Sequence, residues 1–416
     1  MGPDGLAGWR GRMPHGTVRG GWIVPSFWGD WLTMEPKLPE RLLMGPGPSP
    51  VSPAVRLAMA EPVVGHLDPR FLDVMDAVAD GLRLVFGTAN RLTLPLSGTG
   101  SAGMEAMVAN WVEPGDRVLV VRHGFFGERI REAAARRGAE VAVLDAPWGT
   151  AVPADRFFDT LERVAPVKLV AVVLAETSTG VLQPLDGWGD AVHAQGGLFL
   201  VDAVTAIGGM PVEVDRRGID VCFAGSQKCL SVPPGLAPFT VGERAVAALL
   251  DRRTPVATWY FDLTMLGRYW GRERFYHHTA PVSMIYALAA GLEEIRREGL
   301  DARFARHRRV AQALWAGLEA MGLELFVDEP YRLPSLTTVR VPDGVEDAAV
   351  RTTLLEQFNI EIGGGLGELR GKIWRIGTMG YGARIENVVR VLSALEVVLG
   401  RRGGAEAAWH AWESQR

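Results

Sequence analysis

Two hydrophobic periods alternate along the chain from about residue 43 onward. Over 71–86 the apolar side chains fall at Phe71, Val74, Met75, Val78, Leu82 and Val85, the three-and-four spacing of one helix face. The short runs 117–121, 141–144, 169–174 and 198–201 are rich in Val and Leu, lack that spacing and read as strands. Helical patterns over 127–137, 155–164 and 187–194 lie between them. A strand that is apolar along its whole length is buried on both faces, and strands separated by helices pair in parallel. The pattern therefore predicts an α/β architecture, with a mostly parallel sheet covered by helices. Ligands are received at the carboxyl ends of such strands.

A long helical stretch follows at 282–298, and beyond it the order is helix, strand, loop, strand, helix, ending near Val398. This predicts a large domain over 51–290 and a smaller α/β domain over 291–400, which the segment 34–50 joins. Met44-Gly45-Pro46-Gly47-Pro48-Ser49-Pro50 must be a loop, since its prolines and glycines exclude helix and central strand. Residues 401–416 read as a frayed tail. Residues 1–33 are rich in Gly, Trp and Arg and show neither period. They are expected to be a disordered extension, or to be translated from a start upstream of a true start at Met34.

Composition narrows the classes without choosing among them. Of 416 residues, 48% are hydrophobic and 22% charged, with a net charge of −4. That balance gives no basic field for nucleic acid. No apolar run approaches the ~20 residues of a membrane span. Cys222 and Cys229 belong to no metal-spaced cluster, so zinc and disulfide readings fail and a reducing, cytoplasmic location is expected.

The candidate chemistry sits where apolar runs end. Ser97-Gly98-Thr99-Gly100-Ser101-Ala102-Gly103 follows the segment 92–96 and opens a helical stretch. Free backbone N–H groups at such a start suit a phosphate, and Thr99 and Ser101 add hydroxyl donors. The same letters match a dinucleotide fingerprint, which also needs an acid ending the next strand to hold ribose hydroxyls. That run ends Val120-Val121-Arg122-His123-Gly124, without a carboxylate. A cup for a single phosphate is thus favoured over a nicotinamide or flavin site.

Asp202 ends the run 197–201, and Lys228 follows 221–223 in Gly225-Ser226-Gln227-Lys228, before Pro233-Pro234-Gly235. Taken singly, these are a structural acid and a surface lysine. Taken with the cup, they are what pyridoxal 5′-phosphate (PLP) requires: a lysine to carry it and an acid to keep its ring nitrogen protonated. Lysine is readily tuned by burial, which suits that role. Phe126, in Gly124-Phe125-Phe126-Gly127, is either core or a ring that stacks on a flat cofactor. Arg375 stands inside the apolar run 373–376, where a bidentate clamp on a substrate carboxylate would explain a cation. No second arginine occupies such an apolar motif, so small, uncharged donors are expected. The histidines of Tyr276-His277-His278-Thr279 make a poor metal pair, because adjacent side chains diverge.

On these motifs, and on Gly45-Pro46-Gly47-Pro48, Ser178-Thr179-Gly180-Val181-Leu182-Gln183-Pro184 and Gly363-Gly364-Gly365-Leu366-Gly367, the chain resembles the class V, fold type I PLP-dependent aminotransferases. Within them it is most similar to the alanine–glyoxylate and serine–pyruvate group, from about Leu42 to Val398. The resemblance implies a seven-stranded-type sheet in a large domain, a smaller C-terminal domain, and a homodimer with active sites at the subunit interface. It implies that Lys228 carries the cofactor and shuttles the proton, that Asp202 meets the ring nitrogen, and that Val204 and Phe126 lie on the two ring faces. Ser178 would bond the ring hydroxyl. Thr99, Gly100, Ser101 and Gln227 would hold the phosphate, and Tyr276 and Thr279 would reach the phosphate of the other subunit. Many relatives have tryptophan at Phe126, and some have histidine at Ser101. Arg375 would bind the α-carboxylate of a small amino acid, alanine or serine, with a 2-oxo acid such as glyoxylate as acceptor. The rivals on the same fold are a cysteine desulfurase or lyase, or an aminotransferase with a different donor; a desulfurase needs a nucleophilic cysteine well after the lysine, and the last cysteine here is Cys229.

Overall fold

In the computed structural model, which describes residues 38–415, the apolar runs assemble into a seven-stranded sheet. The expectations for residues 1–33 lie outside the described residues. The strand order is Leu92–Ser97, Leu236–Val241, Val221–Phe223, Leu198–Asp202, Leu169–Val173, Arg117–Arg122, Glu140–Asp145. Leu236–Val241 runs against both neighbours, and the other pairs are parallel. The central strands Leu169–Val173, Leu198–Asp202 and Val221–Phe223 are buried at every position, as unbroken apolar runs require.

Leu236–Val241 escapes a pattern reading because Gly235 precedes it and Pro238 stands inside it. A proline argues against a central strand, since it brings no donor to the ladder. Here Pro238 lies opposite Pro95, which also lacks a donor, and its carbonyl still accepts from Ala224 N at 2.8 Å.

The helix expected over 71–86 spans Pro69–Phe86. Asp68 caps its start through Arg70 N, and Gly87 closes it at φ 67°. It buries Phe71, Met75, Val78, Leu82 and Val85 into the core around the sheet.

A second hydrophobic core surrounds the three-stranded sheet Leu336–Arg340, Ile373–Gly377, Gly363–Gly364. Helices Leu300–Ala320, Asp347–Phe358 and Ile385–Leu399 contribute to it. The early segment belongs here too: Leu42–Leu43 pairs in parallel with Ile360–Glu361, and Met44 is buried in this core. No helix among the described residues is long and apolar enough to cross a membrane.

The segment expected to be a frayed tail is in fact the helix Gly404–Glu413. Its glycines and alanines hide it from a pattern reading, yet Ala408 is fully buried and the Arg309 guanidinium lies 3.5 Å over the Trp412 ring. Gly317, inside Leu300–Ala320, makes the close approach possible. A β-carbon there would lie 2.6 Å from Gly404 O and also strike Leu392. Glycine to alanine inside a helix ordinarily gains up to about 1 kcal/mol. Gly317→Ala should instead destabilise, by about 1–3 kcal/mol, because it overpacks a seated helix. Urea unfolding of wild type and variant measures this; a stabilised variant would mean that Gly404–Glu413 does not rest on Gly317.

Candidate active site

Five strand ends meet at one edge of the large sheet, because the six strands that run the same way all finish there. The end of Leu92–Ser97 leads through Gly98 and Thr99 into the helix Gly100–Trp111, whose N-cap Thr99 makes no side-chain cap bond. The Thr99 hydroxyl and the first helix amides are thus available to an anion. The end of Arg117–Arg122 leads to Phe126, that of Leu169–Val173 to Thr177 and Ser178, that of Leu198–Asp202 to Val204, and that of Val221–Phe223 to Gln227 and Lys228.

These ends enclose a cavity of about 210 Å³. Thr99, Gly100, Ser101, Phe126, Asp202, Val204, Gln227 and Lys228 all line it, so eight sequence-predicted residues come together. Ser178 and Arg375 lie beside the lining rather than in it. Ser178 is fully buried, donating to Glu176 Oε1 at 2.6 Å and accepting from Phe125 N at 2.8 Å, while Thr177 lines the cavity in its stead. Arg375 is buried, with Nε donating to Gly364 O at 2.7 Å and Nη1 to Thr177 O at 3.2 Å. Tyr276 and Thr279 are exposed and outside this chain's cavity. His277 and His278 share an Nδ1–Nδ1 bond of 2.9 Å, and His278 Nε2 reaches Ser97 Oγ at 2.9 Å.

The electrostatics follow from burial. Desolvation pushes the Asp202 carboxyl up to about 7, helped by the nearby Glu176 charge and opposed by the Val204 N–H that Oδ1 accepts at 2.8 Å. Burial, with Arg375 adding like charge, brings the Lys228 amine down to about 8. The Lys228 amine donates to Pro46 O. Gly47 lies against it at φ 110°, where a β-carbon would sit 2.6 Å from Nζ. The loop of prolines and glycines is therefore the cover of the lysine.

Sequence reasoning missed several groups. Glu176 is fully buried and carries the signal that marked Asp202, a carboxylate ending an apolar run. Arg129 lines the cavity as a second cation, 5.4 Å from the Phe126 ring centre. Its signal was its place three residues after Phe126, on the same helix face. Met104 and Thr205 also line the cavity without having been singled out.

The profile of the family described as Aminotransferase class-V matches residues 57–369. This chain belongs to the class-V aminotransferases. It is 45% identical over 388 residues to the (S)-ureidoglycine–glyoxylate transaminase of Bacillus subtilis (strain 168), covering 89% of this chain and 93% of that protein. It is 40% identical over 366 residues to the alanine–glyoxylate aminotransferase of Rattus norvegicus, covering 87% and 88%. The crystal structure of an alanine–glyoxylate aminotransferase from Nostoc sp. superposes with a TM-score of 0.87 at 49% identity, over 89% of this chain and 98% of that one. The chain is thus a transaminase of PLP-dependent fold type I.

The lowered Lys228 amine gives this aminotransferase a testable pH response. A neutral amine is the nucleophile, so capture of PLP by cofactor-free protein should rise as pH climbs through about 8. An ordinary lysine would respond through about 10.4. Borohydride trapping at a series of pH values, with peptide mapping of Lys228, reads the midpoint; a midpoint near that of free lysine would contradict the buried setting.

Proposed function

We propose that this class-V aminotransferase uses PLP to move the amino group of a small, uncharged amino acid, alanine or serine, to a 2-oxo acid, glyoxylate first among them. The observation that carries the reading is the convergence of Lys228, Asp202 and the Thr99–Ser101 cup on one cavity. The residues present suit the cofactor. Thr99 leaves its helix start uncapped, and burial pushes the Asp202 carboxyl up to about 7, a cost that a protonated ring nitrogen would relieve. Thr99, Gly100, Ser101 and Gln227 would hold the phosphate, and Asp202 the ring nitrogen. Phe126 and Val204 would flank the ring, with Thr177 or Ser178 near its hydroxyl.

When bound, PLP supplies the electron sink that stabilises charge at the substrate α-carbon. Lys228 Nζ would carry the cofactor and, once displaced from it by the substrate amine, would take the α-proton and return it. An amine near 8 suits both directions, since it is neither fully charged nor a weak base at neutral pH. Asp202, ionised, would keep the ring nitrogen of a bound PLP protonated. Arg375 retains N–H groups beyond those bound to Gly364 O and Thr177 O, and these orient a substrate carboxylate. The Gly45–Pro48 loop covers the Lys228 amine, which donates to Pro46 O. Two buried free thiols accord with a reducing, cytoplasmic setting.

The closing experiment is kcat/KM for alanine, serine, aspartate and glutamate with glyoxylate, and then with pyruvate. Alanine or serine with glyoxylate should lead. Arg375→Lys should lower every donor by roughly tenfold or more, about 1.4 kcal/mol, as the bidentate contact is lost. Aspartate or glutamate as best donor would assign the second carboxylate to Arg129 and overturn the small-donor reading.

The proposal includes a homodimer with shared sites. Trp259, Tyr260, Phe275 and Tyr276 are all exposed large aromatics of the same stretch of chain, as residues that a second copy would cover can be. Tyr276 and Thr279 on that stretch would complete the phosphate site of a second copy. Mixing Lys228→Ala protein with Tyr276→Ala protein should restore turnover above that of either alone, since one of the two mixed sites is then intact; no recovery under exchange conditions would overturn the shared site.

A further inference from the structure

Most buried carboxylates in this chain face a cation. Glu113 and Asp116 are met by Lys168 and Arg253, and Asp220 by His193 and Arg244. Glu176, fully buried at the end of Ala175–Glu176, is met instead by four neutral donors. Its Oε1 accepts from Ser178 N at 3.0 Å and Ser178 Oγ at 2.6 Å, and its Oε2 from Phe126 N at 3.1 Å and Gly127 N at 3.3 Å.

The last two are first-turn amides of the helix Phe125–Arg136, whose N-cap Gly124 has no side chain to offer. Glu176 therefore caps that helix from another segment, and a carboxylate at a helix N-terminus is favoured by the dipole. The Phe125 amide goes to Ser178 Oγ, so three consecutive amides end on Glu176 and Ser178. Gly124 is what lets them meet: a β-carbon there would lie 2.6 Å from Ser178 Oγ and strike the Glu176 side chain. Thr177, between the two, accepts from Arg375. One turn thus ties together Phe126, Ser178 and Arg375.

We propose that Glu176 is a positioning residue of this site, fixing the tilt and depth of Phe126 against the cofactor ring through the amides it accepts. The inference rests on the reading that PLP occupies this cavity between Phe126 and Val204. Glu176 also acts by charge: it raises the Asp202 carboxyl and supports the cationic form of Arg375.

The test is Glu176→Gln, which keeps shape and replaces one acceptor oxygen by an NH2 group. In either orientation that group faces a backbone N–H: those of Phe126 and Gly127 at the Oε2 position, or that of Ser178 at the Oε1 position, where the Ser178 hydroxyl can turn to accept. Equilibrium dialysis of cofactor-free protein should show PLP held about tenfold more weakly, ~1.4 kcal/mol. The visible circular dichroism of the bound cofactor should change, and kcat should fall with little change in KM for the donor. Gly124→Ala, which displaces the same carboxylate without removing its charge, should do likewise and serves if Glu176→Gln does not fold. In a Phe126→Leu background, Glu176→Gln should cost less than in wild type, because the ring it positions is gone. Wild-type protein that takes up no PLP would overturn the cofactor reading and this one with it. Wild-type protein that binds PLP, with folded variants matching its affinity and dichroism or with full additivity over Phe126→Leu, would overturn the positioning role alone.

Discussion

Burying ionisable groups at one edge of a sheet is the constraint on which this molecule turns. Asp202, Glu176 and Arg375 are all buried, and Lys228 is partly so. An isolated charge in such a place costs several kcal/mol. Two carboxylates and two cations on neighbouring segments limit that cost, and the remainder appears as shifted protonation. Asp202 moves up to about 7, Lys228 down to about 8 and Arg375 down to about 10. Each group has moved toward neutrality, so each stands ready for a ligand that brings its own charges.

The geometry needs both hydrophobic cores. The larger core fixes the strand ends, and so the spacing of Asp202, Val204, Phe126 and Lys228. The smaller core delivers Arg375 from Ile373–Gly377 and, through Met44, the loop that covers Lys228. Ser49 sews the two together: its N–H donates to Gln227 O at 2.9 Å and its hydroxyl to Lys228 O at 2.7 Å. A shift of the second core would move Arg375 and the lysine cover at once.

The parallel strands were legible because apolar runs announce burial on both faces, and Asp202 and Lys228 because polar residues end such runs. What stayed hidden had a physical reason. Pro238 disguises a strand that tolerates it opposite Pro95. The small residues of Gly404–Glu413 conceal a helix whose seat is Gly317, a residue about ninety positions away in sequence. Arg129 is exposed, so no apolar context marks it. Tyr276 and Thr279 could be read only through a resemblance, since nothing in their neighbourhood along the chain points to a phosphate.

Glu176 and Asp202 carry the same signature in sequence, an acid closing a buried strand, yet their surroundings divide them. Glu176 receives four N–H and O–H donors and has no spare acceptor role. Among the described residues Asp202 receives one N–H, that of Val204, and turns the rest of its carboxylate to the cavity. A buried polar group with unmet capacity is costly, and it persists where a ligand supplies what is missing. The satisfied acid is held within the protein's own framework, while the unsatisfied one keeps acceptor capacity open to the cavity, as the proposed partnership with a pyridine nitrogen requires. Counting the partners of a buried carboxylate separates the two roles where the sequence alone presents them as equals.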